Sequence, residues 1–431
     1  MWKTLCVLLT ACVSTFASTI ILHPNPQLST GMLLRNHHDQ LYNGHTHKSG
    51  SLRSTLVANV QVDHTTIPFV MDTGSSDIII RMNRKPMDQT SVSSMIMISY
   101  QSSSCIVRNE TIPLTIGSLH LPKQTMGSVV SGTLSVNIIG LGFPALSHVN
   151  PYDSFSRHVS FFSYFISQNK KKPSTIEFNS INEDNYIGEL VYVNVVGNTY
   201  WKTPIHDIYI DHTPLHVCEE KCMVIFDTGT SVIRGPYKAI DLLLSFLIAY
   251  NNNKTTFDCN EIQSLPTLHI ELGVEYKHQT TDGYTGTIQV TLEPYFYMQR
   301  FQGKCLPSFA TTSKNNTWIF GETFLRKYYT VFDIKRKRIG FGLSYHTALI
   351  QPIYMQSPSE TRKIRIEQVN EEVESIKKET ENTQSLSVIF GKASVASSAA
   401  GASSSASAVT VTTKAPTTRP PASATKKYAC M

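Results

Sequence analysis

The sequence predicts a mostly β protein made of two related lobes, followed by a tail with no core of its own. Three observations predict it. From Leu56 to about Tyr345 the chain reads as short apolar or β-branched runs, among them Ser94 to Tyr100, Thr111 to Ile116, Glu189 to Val196 and His206 to Ile210, punctuated by Gly, Pro, Asn and Ser. The best helix candidate is one stretch, Lys238 to Tyr250, preceded by Pro236. The third observation is an internal echo. Phe69-Val70-Met71-Asp72-Thr73-Gly74-Ser75-Ser76 returns as Val224-Ile225-Phe226-Asp227-Thr228-Gly229-Thr230-Ser231. Downstream, Asn137-Ile138-Ile139-Gly140-Leu141-Gly142-Phe143 is answered by Trp318-Ile319-Phe320-Gly321-Glu322-Thr323-Phe324. A duplicated lobe explains this most simply.

Length and composition fit that reading. The 431 residues allow two medium domains and a tail, and at 41% hydrophobic and 16% charged residues most of the chain can bury a core. The net charge of +6 is mild. Lys and Arg are scattered apart from Lys170-Lys171-Lys172 and Lys335-Arg336-Lys337-Arg338, which read as solvated loops or strand ends, so no nucleic-acid partner is expected.

At the N-terminus, residues 1–17 read as a signal peptide: Lys3 is its positive charge, Leu5 to Val13 its apolar stretch, and Thr15-Phe16-Ala17 its small-residue cleavage site. That run is shorter than the roughly 20 residues that span a bilayer, and no later segment approaches that length, so no membrane span is expected in the mature chain. Secretion permits disulfides. Cys6 and Cys12 leave with the signal, and Cys105, Cys218, Cys222, Cys259, Cys305 and Cys430 remain. Asn109, Asn253 and Asn315 open glycosylation sequons. Residues 347–431 form the tail. Its 358–383 stretch is rich in Glu, Lys and Arg and patterned as a marginal amphipathic helix, whereas 392–425 is almost all Ala, Ser, Thr, Val and Pro and predicts a disordered linker.

A lone Asp-Thr-Gly is a turn and little more. Two copies, each after an apolar strand and before a hydroxyl residue, present a carboxylate at the end of a rigid element, and the glycine lets another backbone come close. Facing each other, Asp72 and Asp227 cannot both ionise and share one proton. The ionised partner can take a proton from water while the protonated one polarises a carbonyl. Ser75 and Thr230 are placed to hold the carboxylates, and Thr73 and Thr228 to bond across the two turns. No metal is expected. Cys218 and Cys222 have only His212 and His216 nearby, which leaves a zinc site as the minor alternative to a disulfide.

From about Leu56 to Tyr345 the chain resembles the pepsin family of aspartic peptidases. Both Asp-Thr-Gly turns match, as do the apolar-apolar-Gly elements behind them and the whole run Trp318 to Asp333. The resemblance implies a bilobal pepsin-like β fold with a long cleft between lobes, here 51–188 and 189–346. It implies aspartic endopeptidase activity at acid pH without a cofactor, and a propeptide, for which 18–50 is available. His37, His38, His45 and His47 in that segment would titrate on acidification, or serve no role. The family pattern also implies bridges Cys218–Cys222 and Cys259–Cys305, leaving Cys105 and Cys430 unassigned. Tyr100 matches the tyrosine of a flap over the cleft.

Some positions depart from the family. Gln101 stands where glycine usually follows that tyrosine, Val107 replaces a second flap glycine, and Ile79 stands where a supporting tryptophan is common. Asn137 takes a glycine's place, and the 81–94 loop is short and lacks a small disulfide. The expected partners are peptide or protein substrates, met by a monomer in the secretory pathway, outside the cell or in an acidic lysosome- or vacuole-like compartment. The altered flap keeps open a pepsin-like binding protein without useful catalysis. A half-size peptidase that must dimerise is disfavoured, because both half-sites lie on one chain.

Overall fold

The computed structural model describes residues 17–24, 56–81, 95–100, 103–168, 172–218, 221–273, 287–301, 303–314 and 316–345. In chain order the first strands are β1 (Ser18–Pro24), β2 (Leu56–Val62), β3 (Thr65–Asp72), β4 (Ile78–Ile80), β5 (Met95–Ser99), β6 (Ser104–Ile116), β7 (Leu119–Gly132) and β8 (Asn137–Gly140). Then come β9 (Phe161–Phe165), β10 (Ser174–Phe178), β11 (Tyr186–Asn194), β12 (Lys202–Ile210), β13 (Thr213–Pro214), β14 (Met223–Phe226) and β15 (Ile233–Pro236). The last are β16 (Leu268–Gly273), β17 (Thr287–Leu292), β18 (Met298–Phe301), β19 (Lys304–Pro307), β20 (Phe309–Thr312), β21 (Thr317–Phe320), β22 (Tyr328–Asp333) and β23 (Arg338–Ser344). The α-helices are α1 (Tyr237–Tyr250), α2 (Pro294–Tyr297) and α3 (Glu322–Leu325).

Turn chemistry sets several of these pairs. Two-residue loops join β2 to β3, β6 to β7 and β12 to β13, and their first residues, Asp63, Gly117 and Asp211, take φ of 54°, 55° and 51°. Such primed hairpin turns need positive φ, which Gly supplies freely and Asp tolerates. The helix expected from Lys238 starts one residue earlier, with Pro236 as its N-cap. It buries Ala239, Ile240, Leu243, Leu244, Leu247 and Tyr250 against β15 and β20.

A thirteen-stranded sheet runs β11-β23-β22-β9-β10-β1-β2-β3-β8-β4-β7-β6-β5, and an eight-stranded one holds β17-β16-β12-β14-β21-β15-β20 with β13 against β12. The 188/189 boundary expected between lobes falls inside β11, and β22 and β23, from the far end of the described chain, pair beside β9 in the larger sheet. All residues of β22 and of β10 are buried, so both strands need cover on two faces and sit mid-sheet. Ser18 to Pro24, the start of the segment assigned to a propeptide, pairs with β10 on one side and β2 on the other.

The duplication is visible in strand order. β3 pairs in parallel with β8, β8 antiparallel with β4, and β4 in parallel with β7. β14, β21, β15 and β20 repeat those relations one for one. Each aspartate thus ends a strand, or follows it by one residue, beside the strand that ends in or before a glycine.

Candidate active site

Asp72 and Asp227 are both buried, at 7% and 9% exposure. The two turns hold them in the same way. Gly74 N–H donates to Asp72 Oδ1 at 2.9 Å and Ser75 Oγ to Asp72 Oδ2 at 2.5 Å. Gly229 N–H donates to Asp227 Oδ1 at 2.8 Å and Thr230 Oγ1 to Asp227 Oδ2 at 2.7 Å. One oxygen of each carboxylate is fixed by backbone and the other by a hydroxyl, so neither side chain is free to rotate.

The turns are also locked to each other. Thr73 Oγ1 donates to Phe226 O at 2.7 Å and accepts from Thr228 N–H at 2.9 Å, while Thr228 Oγ1 donates to Met71 O at 2.5 Å and accepts from Thr73 N–H at 3.0 Å. Both threonines are fully buried, so these four bonds replace water that cannot reach the backbone. The glycines show how close the carboxylates come. A Cβ on Gly74 would lie 2.7 Å from the Asp227 carboxyl, and one on Gly229 would collide with Asp72. Each carboxylate rests against the opposite turn, and glycine is the residue that leaves room for it.

Burial, and then the neighbouring Asp227 charge, push the Asp72 carboxyl well above the ordinary value, against the pull of the Ser75 hydroxyl and the Gly74 N–H. A hydrogen bond between the two carboxyls works in the same upward direction. Such a pair holds one proton between two oxygens and titrates as a unit.

Two residues that the sequence patterns did not single out shape the site. Trp201 is fully buried between the two repeats: its Nε1 donates to Leu141 O at 2.8 Å, and its carbonyl accepts from Phe226 N–H at 2.9 Å. It packs on Phe143, Phe162 and Phe332, with ring centroids 4.4, 5.8 and 5.1 Å away. Arg234 lies on β15 at 7% exposure and donates from Nε and Nη2 to Thr311 O at 3.2 and 3.0 Å. Burial lowers its guanidinium to about 10, and the Asp227 carboxylate opposes that fall, so the two charges feel each other. The one signal for Arg234 was a charge inside the apolar run Val232-Ile233-Arg234-Gly235.

The other expected site residues are placed as follows. Tyr100 closes the β5–β6 hairpin through its N–H to Ser103 O at 2.7 Å, and its ring packs on a buried cluster that includes Ile79, Ile98 and Val107. Ile79 and Val107, two departures from the family pattern, therefore fill the ground beneath the tyrosine. Asn137, a third, ties three strands, donating to Pro68 O at 3.1 Å and accepting from Arg81 N–H at 2.8 Å. Disulfides join Cys218 to Cys222 and Cys259 to Cys305, so the first two thiols are not metal ligands. Cys105 is buried. Asn253 is exposed at φ 59°, whereas half-buried Asn109 commits its Nδ2 to Val149 O at 3.1 Å. Gln101, Asn315, Cys430, the His37–His47 stretch and the tail segments lie outside the described residues, as does nearly all of the 81–94 loop.

Comparison with known proteins points one way. A family model described as eukaryotic aspartyl protease matches residues 83–344, more than half of the chain; the match contains Asp227 and begins after Asp72. Pregnancy-associated glycoprotein 2 of Bos taurus is 29% identical over 244 residues, 53% of this chain and 61% of that protein. Pepsin A of Bos taurus is 29% identical over 219 residues, 48% of this chain and 55% of that protein. Cathepsin D of Dictyostelium discoideum is 29% identical over 311 residues, 63% of this chain and 78% of that protein. The chain thus spans about three-fifths or less of the first two relatives.

Proposed function

Because the chain belongs to the eukaryotic aspartyl protease family, we propose that it is an endopeptidase working at acid pH, with Asp72 and Asp227 as its catalytic pair. In this reading Asp72, the carboxyl whose proton burial favours, donates a hydrogen bond to the scissile carbonyl oxygen. Asp227 accepts the proton of the attacking water. Attack gives a tetrahedral intermediate without a covalent adduct, and collapse returns the water's proton to the leaving amine. Thr73, Gly74, Ser75, Thr228, Gly229 and Thr230 hold the spacing. Tyr100 and Gln101 cover the substrate. No cofactor takes part, because the nucleophile is water.

The observation that supports this most is the crossed contact, each carboxylate seated against the other turn's glycine and both turns locked by threonine bonds. That is more order than a binding groove requires. The same reading assigns residues 1–17 to a signal, 18–50 to a propeptide and the chain to the secretory pathway as a glycoprotein zymogen. One chain carries both half-sites, so a monomer suffices.

The test is to express the full chain in eukaryotic cells, acidify it, and assay cleavage of a denatured protein from about pH 2 to pH 8. Activity should trace a bell on the acid side of neutrality, since carboxylates start near ~4 and their repulsion raises only the second proton loss. A statine-type transition-state mimic should abolish it. No cleavage across that range by a chain whose circular dichroism is native would replace this reading with that of a pepsin-like binding protein.

A further inference from the structure

The two repeats part company five residues beyond each aspartate, where Asp77 follows Asp72 and Val232 follows Asp227. Their backbones do the same thing at that place. Gly140 N–H donates to Asp77 O at 3.0 Å, and Gly321 N–H donates to Val232 O at 3.1 Å. Closing the turn on its glycine strand therefore needs no carboxylate, because a buried valine does it equally well. Asp77 nevertheless buries one, with 3% of its side chain exposed. A buried charge is costly unless it is well hydrogen-bonded, so what this carboxylate holds is informative.

Its donors come from one segment, Ser147 to Val149. Oδ1 accepts from Ser147 Oγ at 2.6 Å and from the N–H groups of His148 and Val149, both at 3.0 Å. Oδ2 accepts from His148 N–H at 3.0 Å and faces His148 Nδ1 at 3.1 Å. The chain leading into that segment is already tied to the first turn, Leu141 N–H to Asp72 O and Gly142 N–H to Ser75 O, both at 2.7 Å. The far side of the segment meets the hairpin. Val149 O accepts from Asn109 Nδ2 of β6 at 3.1 Å. The Val149 side chain lies in the buried cluster of Ile79, Ile98 and Val107 on which Tyr100 packs. A carboxylate just beyond the rigid Asp72 turn thus grips the segment that the hairpin rests on, through charge-assisted bonds that are stronger than neutral ones.

We propose that Asp77 is a positioning residue: through residues 147–149 its carboxylate sets where the Tyr100 hairpin stands relative to Asp72. In the second repeat the matching Val232 instead packs on Ala310 in a small apolar cluster. The kinetic half of this role rests on the proposed peptidase activity. The mechanical half, a coupling of turn to hairpin, does not, so each half has its own measurement on the full chain.

Assayed well below its Tm, Asp77→Ala should lower kcat/KM at least about tenfold and weaken a statine-type mimic by a similar factor, since small misplacements of a covering group are expensive in rate. Asn109→Ala should cost a few-fold, and adding it to Asp77→Ala should cost nothing further, because both act through Val149. Ser147→Ala keeps the carboxylate and removes one donor; it should show the same losses at about threefold, and it carries the test if Asp77→Ala does not fold. By hydrogen exchange, amides of β5 and β6 should open at least about tenfold faster in Asp77→Ala, whereas those of β14 and β15 keep the wild-type rate. A merely structural carboxylate would speed exchange in both repeats and leave the kinetics of the folded enzyme unchanged. Selective exchange in a chain that cleaves nothing would support the coupling while removing the peptidase reading. The proposal is overturned by kcat/KM within about twofold of wild type in both Asp77→Ala and Ser147→Ala, by losses from Asp77→Ala and Asn109→Ala that multiply, or by exchange that rises equally in both repeats.

Discussion

The two aspartate turns have the same hydrogen bonds and different neighbours. In the first repeat the residue seven beyond the aspartate is Ile79, paired with Ile138 of β8 and buried in the cluster on which Tyr100 packs. In the second the equivalent is Arg234, paired with Ile319 of β21 and within electrostatic reach of Asp227. One repeat uses that slot to floor the hairpin, and the other uses it to put a buried cation behind the pair. Duplication copied the hydrogen bonds that hold a carboxylate, and the side chain behind each turn has differentiated the fields. The asymmetry a shared proton needs is therefore supplied from outside the matched motif.

The comparison breaks most sharply at the carboxylates. Asp72→Asn and Asp227→Asn should each lower kcat/KM by ~10³-fold or more, since each removes one half of the acid–base pair. A rate within tenfold of wild type for either would mean the turns are not equal partners in the chemistry. Asp72 has a second readout. Its folded pKa is raised, so its contribution to stability is present below the ordinary value of 3.8 and is lost as pH climbs through the folded value. Wild-type Tm should fall from about pH 4 toward neutrality more steeply than that of Asp72→Asn.

Next come the crossing threonines. Thr73→Val and Thr228→Val keep shape but each deletes one donor and one acceptor from buried backbone groups, at about 2–3 kcal/mol by urea denaturation. Equal losses would support the two-fold symmetry; a gap above ~1.5 kcal/mol would show one turn carrying the lock. Smaller still is Arg234→Met. Removing a cation disfavours the singly charged pair, so the acid limb of the kcat/KM profile should move up by about half a pH unit, while Ile79→Leu leaves it in place. An unmoved limb would mean Thr311 and solvent screen the arginine. The smallest effect is on glycosylation: Asn253→Gln should lose one glycan by gel shift, and Asn109→Gln, whose amide is already spent on Val149, should lose none.

Much of this was legible before any fold was known. The echo of Asp-Thr-Gly and apolar-apolar-Gly gives the two turns, because close packing of carboxylate and glycine constrains residue type at those positions. Alternation and turn residues give most strands, and Pro236 with the leucines after it gives α1. What sequence pattern could not give is long-range pairing. Nothing local tells that β22 joins β9, that Trp201 spans both repeats, or that Arg234 faces an aspartate seven residues back.

The position of β1 has a practical consequence for making this protein. In the larger sheet it is the strand between β10 and β2, so the ladder from β11 to β10 meets the ladder from β2 to β5 through it. A chain begun after Pro24 would present two bare strand edges side by side, so cleavage of a propeptide within 18–50 has to leave Ser18–Pro24 seated in the sheet or refill its place. Bare edges are templates for pairing with other chains. The expected failure of such a shortened protein is intermolecular: turbidity and fibril-like association that rise with concentration, suppressed when a peptide of the Ser18–Pro24 sequence is added back in trans.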